Sequence, residues 1–342
     1  MDSQYKVSVI GGGGWGTALC VIMARAGRQV TLWKRNPAEA AELMELRENR
    51  TYLPGIKIPL NVVITADLAQ AIQSSQYIIM AIPSQPLREV AMSIQPLVTP
   101  EHTVLSVAKG LEVDTLLRMT QVLTQTLPQV PSGRLAQLAG PNHAEEAGAG
   151  LPTTAVVAAA DRTVAEAWQD VLMSPTLRVY TNTDVVGVEL GSALKQIIAI
   201  AAGISDGLGF GDNTKAAIIT RGLAEIARLG SAMGANPLTF AGLSGMGDLI
   251  VTCTSRHSRN TRAGRQIGEG HTVAEVQGST RMVIEGFPTC KAAYALAQRV
   301  KVEMPITNAI YQILFEDRAP LTVVQDLMGR GAKDELAALF GG

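Results

Sequence analysis

The chain has little of what would mark a secreted, metal-holding, membrane-spanning or nucleic-acid-binding protein. Only 3 of its 342 residues are cysteine. Cys20, Cys253 and Cys290 form no CxxC pair and lie in or near apolar or small-residue stretches, so they read as reduced thiols rather than as a disulfide framework. The 4 histidines, His102, His143, His257 and His271, show no metal spacing of the HExxH kind, and no metal is expected. Aromatic residues make up 4% of the chain, which points to aliphatic packing. A net charge of −1 provides no overall field toward nucleic acid or an anionic membrane. No uninterrupted apolar run reaches the roughly 20 residues a bilayer crossing needs. The opening MDSQYKVSVIGG passes from a few polar residues straight into a strand, with no signal peptide expected. Together these features predict a soluble, cytoplasmic protein.

What is there is enough apolar material, 47% of the residues, for large cores, and a length that suggests two domains. From Lys6 onward short β-rich runs alternate with helical stretches. KVSVIG, QVTLWK, VVIT, QYIIMAIP, HTVLSVAKG, RLAQLAG, TTAVVAAA and LRVYTN read as strands, with helices between them. That alternation predicts an α/β fold, a doubly wound Rossmann-type domain with a parallel sheet, over residues 1–185. After Thr183 the strand signals fade into Ala/Leu/Ile helix broken by glycine loops, which predicts an all-helical domain over 186–342. The tip of the closing GAKDELAALFGG is expected to fray.

VIGGGGWGTAL satisfies GxGxxG in one register, Gly11, Gly13 and Gly16. The first glycine allows a tight turn, the second lets backbone approach a pyrophosphate, and the third lets helix pack on strand. Gly14 and Trp15 fill the variable positions and would border the cofactor. The motif follows a strand and opens an apolar helix, which is the context a dinucleotide site requires. The next strand ends in Trp33-Lys34-Arg35-Asn36, with no acid to bind a ribose 2′-hydroxyl. Two cations there favour a 2′-phosphate, Arg35 most of all, so NADP(H) is expected to be accepted; a solvated basic loop is the alternative.

Several other residues have the chemistry of a site. Lys109, in VLSVAKGLE, follows a strand's carboxyl end, where wound sheets bind ligands, though a surface lysine has the same look. In LAGPNHAEE, Gly140 would let a ligand reach backbone, Ala144 leaves room, and Asn142 could cap a helix or donate to an oxyanion. Ser258, Arg259 and Asn260 place a hydroxyl, a guanidinium and an amide at an expected helix start, a set suited to a phosphate dianion. A solvated basic face and a nucleic-acid contact are the other readings of the arginine-rich run around them. Asp248, in SGMGDLIVTC, could cap a helix or orient a lysine.

Lys195 is the most conspicuous residue. At helical spacing its neighbours are Gly191, Ser192, Ile198 and Ala199, a small and apolar face. Such a lysine either snorkels to water or is held there for chemistry. Gly191 and Ser192 would leave space beside the ammonium for a ligand. Burial and a neighbouring cation can turn a lysine into a useful acid near neutral pH, and Lys109 is the candidate neighbour.

The segments GGGGWGTALC, AKGLE, AGPNHAEE, GVELGSALKQIIAIAAGISDGLGFGDNTKAAIITRGLAEIARLG, GLSGMGDLIVTC, SRN and VIEG, taken in order, resemble the bacterial-type NAD(P)-dependent glycerol-3-phosphate dehydrogenases almost from end to end. The resemblance implies reversible hydride transfer between NAD(P)H and dihydroxyacetone phosphate, giving sn-glycerol 3-phosphate for phospholipid synthesis. It implies that Lys195 is the proton acceptor and donor, and that Lys109 touches both cofactor and substrate. Gly140, Asn142, Asp248, Ser258, Arg259 and Asn260 correspond to substrate positions. Gly14, Trp15, Arg35, Ala144, Val283 and Glu285 correspond to cofactor positions, and Arg259 lies near the cofactor as well. Two positions depart from the usual pattern: Gly14 and Asn142 stand where hydroxyl residues are common. A homodimer is expected from the apolar helical domain. Another NADPH reductase acting on an unphosphorylated keto acid, or a dinucleotide sensor, are the competing classes.

Overall fold

The structure, a computed structural model, describes residues 5–280, 282–332 and 334–335; the tip expected to fray lies outside them. The chain divides into two compact units. The first runs to Ala108 and resumes over Met119–Val185, while the second takes Lys109–Arg118 and the chain from Val186 onward.

The first unit holds β1 (Lys6–Ile10), β2 (Gln29–Trp33), β3 (Glu48–Asn49), β4 (Leu53–Lys57), β5 (Val62–Thr65), β6 (Tyr77–Met80), β7 (Thr103–Ser106), β8 (Leu135–Ala139), β9 (Thr153–Ala159) and β10 (Leu177–Asn182). Eight of these form one sheet in the order β10-β9-β8-β7-β6-β1-β2-β5, and β3 and β4 make a separate antiparallel pair. The central strands are buried along almost their whole length, which is why they read as continuous apolar runs rather than alternating ones. The chain winds β1, β2, β5 to one side and then crosses to β6 on the other side of β1. The crevice beyond the carboxyl ends of β1 and β6 is thus the switch point at which such sheets bind ligands.

One feature differs from the parallel sheet expected. β9 runs antiparallel to β8, while β10 is parallel to β9. The cause is the connection: the helix between β8 and β9, Ala144–Ala149, has only six residues. At about 1.5 Å per residue it spans ~9 Å, too little to carry the chain back along a five-residue strand of about 16 Å. Returning directly as an antiparallel neighbour is the short solution.

The second unit is helical. Its central element, Val185–Gly207, is buried on nearly every side. Among the described residues it is also the one helix long and apolar enough to cross a membrane, and 89% of its apolar window is buried inside the protein. Residues 109–118, read in sequence as part of the first domain, pack here instead. Leu111 is completely buried in this unit's core, and the half-buried Arg118 forms an ion pair with the buried Glu189 of the central helix. The pattern of strands and helices could not reveal this, because a ten-residue loop has no periodicity of its own.

Helix Arg259–Gly268 meets the central helix backbone to backbone. A Cβ on Gly203 would lie 2.1 Å from the Thr261 carbonyl oxygen, and one on Gly264 would lie 2.2 Å from that of Ile200. Gly203→Ala is therefore expected to destabilise the second unit by about 1–3 kcal/mol through overpacking. Gly278→Ala, where an added Cβ meets nothing within 4 Å, should change stability by less than about 0.5 kcal/mol. Urea unfolding of the two variants tests the contrast, and equal midpoints would refute the close packing.

Candidate active site

The two units carry different parts of the machinery. In the first, Gly11 directly follows β1 with φ of +117°, and a Cβ there would lie 2.4 Å from the carbonyl oxygen of Ala81, which directly follows β6. A Cβ on Gly16 would strike the Gly11 carbonyl oxygen at 2.1 Å. Both glycines are demanded by packing. Around Gly13, by contrast, an added Cβ meets nothing within 4 Å. Gly13 is the N-cap of helix Gly14–Arg25, so no side chain caps the backbone N–H groups at this twelve-residue helix start. That cradle fits a dinucleotide pyrophosphate. Trp15 is half-buried against the core of this unit, and Ala144 lies 3.7 Å from where a Gly14 Cβ would sit.

Asn49 was not visible from sequence as part of this loop. Its buried amide donates to the Gly12 carbonyl at 3.0 Å and to the Thr17 hydroxyl at 2.8 Å. The cations after β2 also differ from expectation. Arg35 is exposed, but Lys34 turns inward and pairs with Glu39 at 2.6 Å. The strand end does carry an acid nearby, one that an inspection of residues 33–36 misses.

At the carboxyl end of β8, Gly140 has φ of +119°, and a Cβ would approach Ala155 Cα to 3.1 Å. Asn142 is buried, and the cap position of the next helix falls on His143, so the capping role considered for Asn142 is not what the structure shows.

The second unit gathers the lysines. Lys195 is 4% exposed, which rules out snorkelling. Its Nζ donates to Asp248 Oδ1 at 2.9 Å and to Thr252 Oγ1 at 2.5 Å, while Lys109 Nζ donates to Asp248 Oδ2 at 2.8 Å. One carboxylate thus joins two ammonium groups. Asp248 is the first residue of helix Asp248–Thr254, and its carboxylate serves the lysines; of the two roles open from sequence, orienting a lysine is the one the structure shows. Burial works to raise the Asp248 carboxyl, but the two lysines outweigh it and hold it below the usual carboxylate range. Burial above all, with Lys195 adding to it and Asp248 opposing, brings Lys109 down to about 8.

The space expected beside Gly191 for a ligand is filled by protein. A Cβ there would lie 2.8 Å from the Ser244 carbonyl oxygen, in the π-helical turn Leu243–Gly247 that leads into Asp248. Gly191 therefore seats the turn that delivers the carboxylate. Thr252, missed in sequence, lies one helical turn beyond Asp248, and the i, i+4 spacing was the signal that could have found it.

Gln196 was also missed. Its amide donates to the Lys109 carbonyl at 3.0 Å and its carbonyl oxygen accepts from the Asn260 amide, whose own oxygen accepts from Gly286 N–H at 3.0 Å. Ser258 is the N-cap of helix Arg259–Gly268, accepting from Thr261 N–H, and the Thr261 hydroxyl donates to the Thr252 carbonyl at 2.7 Å. Arg259 is exposed and donates to the Val283 carbonyl at 2.9 Å, and Glu285 opens the helix Gly286–Val300. The structure brings Lys109, Lys195, Asp248, Ser258 and Asn260 into one linked cluster, with Arg259, Val283 and Glu285 along its border.

Comparison with known proteins shows the family of the chain. Residues 6–165 match the family described as NAD-dependent glycerol-3-phosphate dehydrogenase N-terminus, and residues 184–325 match its C-terminus. A glycerol-3-phosphate dehydrogenase (NAD(P)+) of Desulfitobacterium hafniense is 51% identical, over 97% of this chain and 93% of that protein. Its counterpart in Bacillus subtilis is 46% identical, over 98% and 97% of the two chains. The crystal structure of glycerol-3-phosphate dehydrogenase from Coxiella burnetii superposes with a TM-score of 0.91 at 37% identity, covering 95% of this chain and 99% of that one.

Removing the shared carboxylate tests the cluster. Asp248→Asn would leave two buried ammonium groups without a counter-charge and should cost about 3–5 kcal/mol at pH 7. Working against burial, Asp248 raises Lys109, which stands at about 8 in the native chain, so without the carboxylate the folded variant gives up that proton at a lower pH. The folded variant then binds fewer protons than its unfolded state while the native chain still holds this one, so the loss should shrink as pH rises toward about 8. Denaturant titrations from pH 7 to 10 that show no penalty at pH 7 would contradict the triad.

Proposed function

We infer the division of labour among these residues from one premise: the chain belongs to the NAD-dependent glycerol-3-phosphate dehydrogenase family. It is an NAD(P)-dependent oxidoreductase that interconverts dihydroxyacetone phosphate and sn-glycerol 3-phosphate. When bound, the nicotinamide supplies or accepts the hydride.

The observation that carries our reading is the hydrogen bonding of Lys195. Two of its three ammonium protons go to Asp248 and Thr252, which fixes the nitrogen and leaves the third for a ligand oxygen. Lys195 hands that proton to the substrate oxygen as the ketone becomes an alcohol, and takes it back in the reverse direction. Lys109 adds positive charge beside it, which favours negative charge on that oxygen in the transition state. Asp248 is a positioning residue that keeps both amines in place.

Arg259, with Asn260 and the N-terminus of its helix, holds the substrate phosphate. The helix start supplies N–H groups and the guanidinium supplies a fork suited to a dianion. Ser258 shapes this helix start as its cap; in the first unit, Gly140 and Asn142 are the residues we assign to the substrate. In the first unit the Gly11–Gly16 loop, Trp15, Arg35 and Ala144 are the residues we assign to the cofactor; in the second, they are Lys109, Arg259, Val283 and Glu285. Anchoring a phosphate away from the reacting carbon fixes the geometry of transfer, an effect worth several kcal/mol.

The rest of the proposal is cellular. The product supplies glycerophospholipid synthesis, and the enzyme works in the cytoplasm as a homodimer, without nucleic-acid or membrane partners. Three buried, free cysteines support a reducing compartment.

Two assays, following loss of reduced nicotinamide with dihydroxyacetone phosphate, test these roles. Lys195→Met should lower kcat by roughly 10²–10⁴-fold; near-normal turnover would reject the acid. Arg259→Ala should raise KM for the phosphorylated ketone at least about tenfold, equivalent to ~1.4 kcal/mol. An unchanged KM would remove Arg259 from the phosphate site.

A further inference from the structure

Two cations follow β2, but the structure treats them differently. Lys34 folds back over the glycine loop. Its side chain is only 13% exposed, its Nζ donates to the Gly12 carbonyl at 3.2 Å, and it lies 4.8 Å from the centre of the Tyr52 ring. It also carries its own counter-charge, because Glu39 reaches it at 2.6 Å from the first turn of helix Pro37–Leu46. Arg35 points outward, 72% exposed, with Glu89 at 3.7 Å.

An adenosine ribose bound at this edge therefore meets a neutralised lysine, an exposed arginine and a nearby carboxylate. A 2′-phosphate gains from Arg35 but is opposed by Glu39. A 2′-hydroxyl can donate to that carboxylate, which stands about 20 residues beyond the glycine loop, as the ribose-binding acid of an NAD site does. We infer that Glu39 is a specificity-determining residue: by neutralising Lys34 beside the glycine loop it restrains binding of the 2′-phosphate and keeps NAD(H) competitive with NADP(H).

The simpler reading is that Glu39 serves its helix and Lys34 braces the Gly12 turn. The Asn36 amide approaches Glu39 at 3.4 Å, and an acid in a first turn suits the helix dipole. That role would affect all nucleotides alike, whereas charge neutralisation would discriminate between them.

The test uses binding as well as turnover. Calorimetric affinities of 2′,5′-ADP and AMP for the full chain report the adenosine end alone. Glu39→Gln should raise the affinity ratio of 2′,5′-ADP to AMP at least threefold at low salt, with a steeper salt dependence for 2′,5′-ADP. Adding Lys34→Met to that variant should abolish the gain, and the kcat/KM preference for NADPH over NADH should follow the same order. An unchanged ratio in Glu39→Gln, or an equal fall in affinity for both nucleotides, overturns the inference.

Discussion

The second unit is organised around one carboxylate. Asp248 lies between Lys109 and Lys195 at 2.8 and 2.9 Å, in surroundings that leave it 1% exposed. Buried charges persist only when paired, so neither lysine could occupy its place without Asp248. Two ammonium groups sharing one carboxylate leave the cluster with an excess of positive charge, the sign that favours an oxyanion. The same arrangement explains why a lysine sits on an otherwise apolar helix face.

Much of the surrounding structure serves to bring those three groups together. The loop 109–118 is tied to the central helix by Leu111, by the Arg118–Glu189 pair and by the Gln196 amide, and it delivers Lys109. The turn against Gly191 delivers Asp248. Direct backbone packing at Gly203 and Gly264 presses the helix that begins with Arg259 and Asn260 onto the helix that carries Lys195. The hydrogen bond from Asn260 to Gln196 ties the same two helices, and Thr261 bonds to Thr252 in the helix that begins with Asp248. The distance between the proton donor and the proposed phosphate anchor is therefore fixed largely by backbone rather than by flexible side chains.

The wound sheet was legible because strands and helices have distinct periods, and all eight strands of the main sheet were readable as short β-rich runs. The reversal between β8 and β9 was not, since strand direction depends on the length of a connection whose helix had to be measured. Lys195 stood out by contrast with its neighbours. Asp248 and Lys109 were visible only as chemically capable residues, because their partnership spans 139 positions in the chain. Gln196 and Asn49 gave no signal at all, their roles arising from a carbonyl or an amide brought near by folding. Glu39 lay just past the strand end where an acid is usually sought, and only the helix turn returns it to Lys34.

The central claim is that the Lys195 amine is poised on the oxygen that changes charge. The most direct measurement is a crystal structure with dihydroxyacetone phosphate and an oxidised nicotinamide cofactor, which together cannot turn over. The account predicts Lys195 Nζ within hydrogen-bond reach of the carbonyl oxygen while still bound to Asp248 and Thr252. A substrate whose carbonyl oxygen is held by other groups, with the amine turned away from it, would contradict the account.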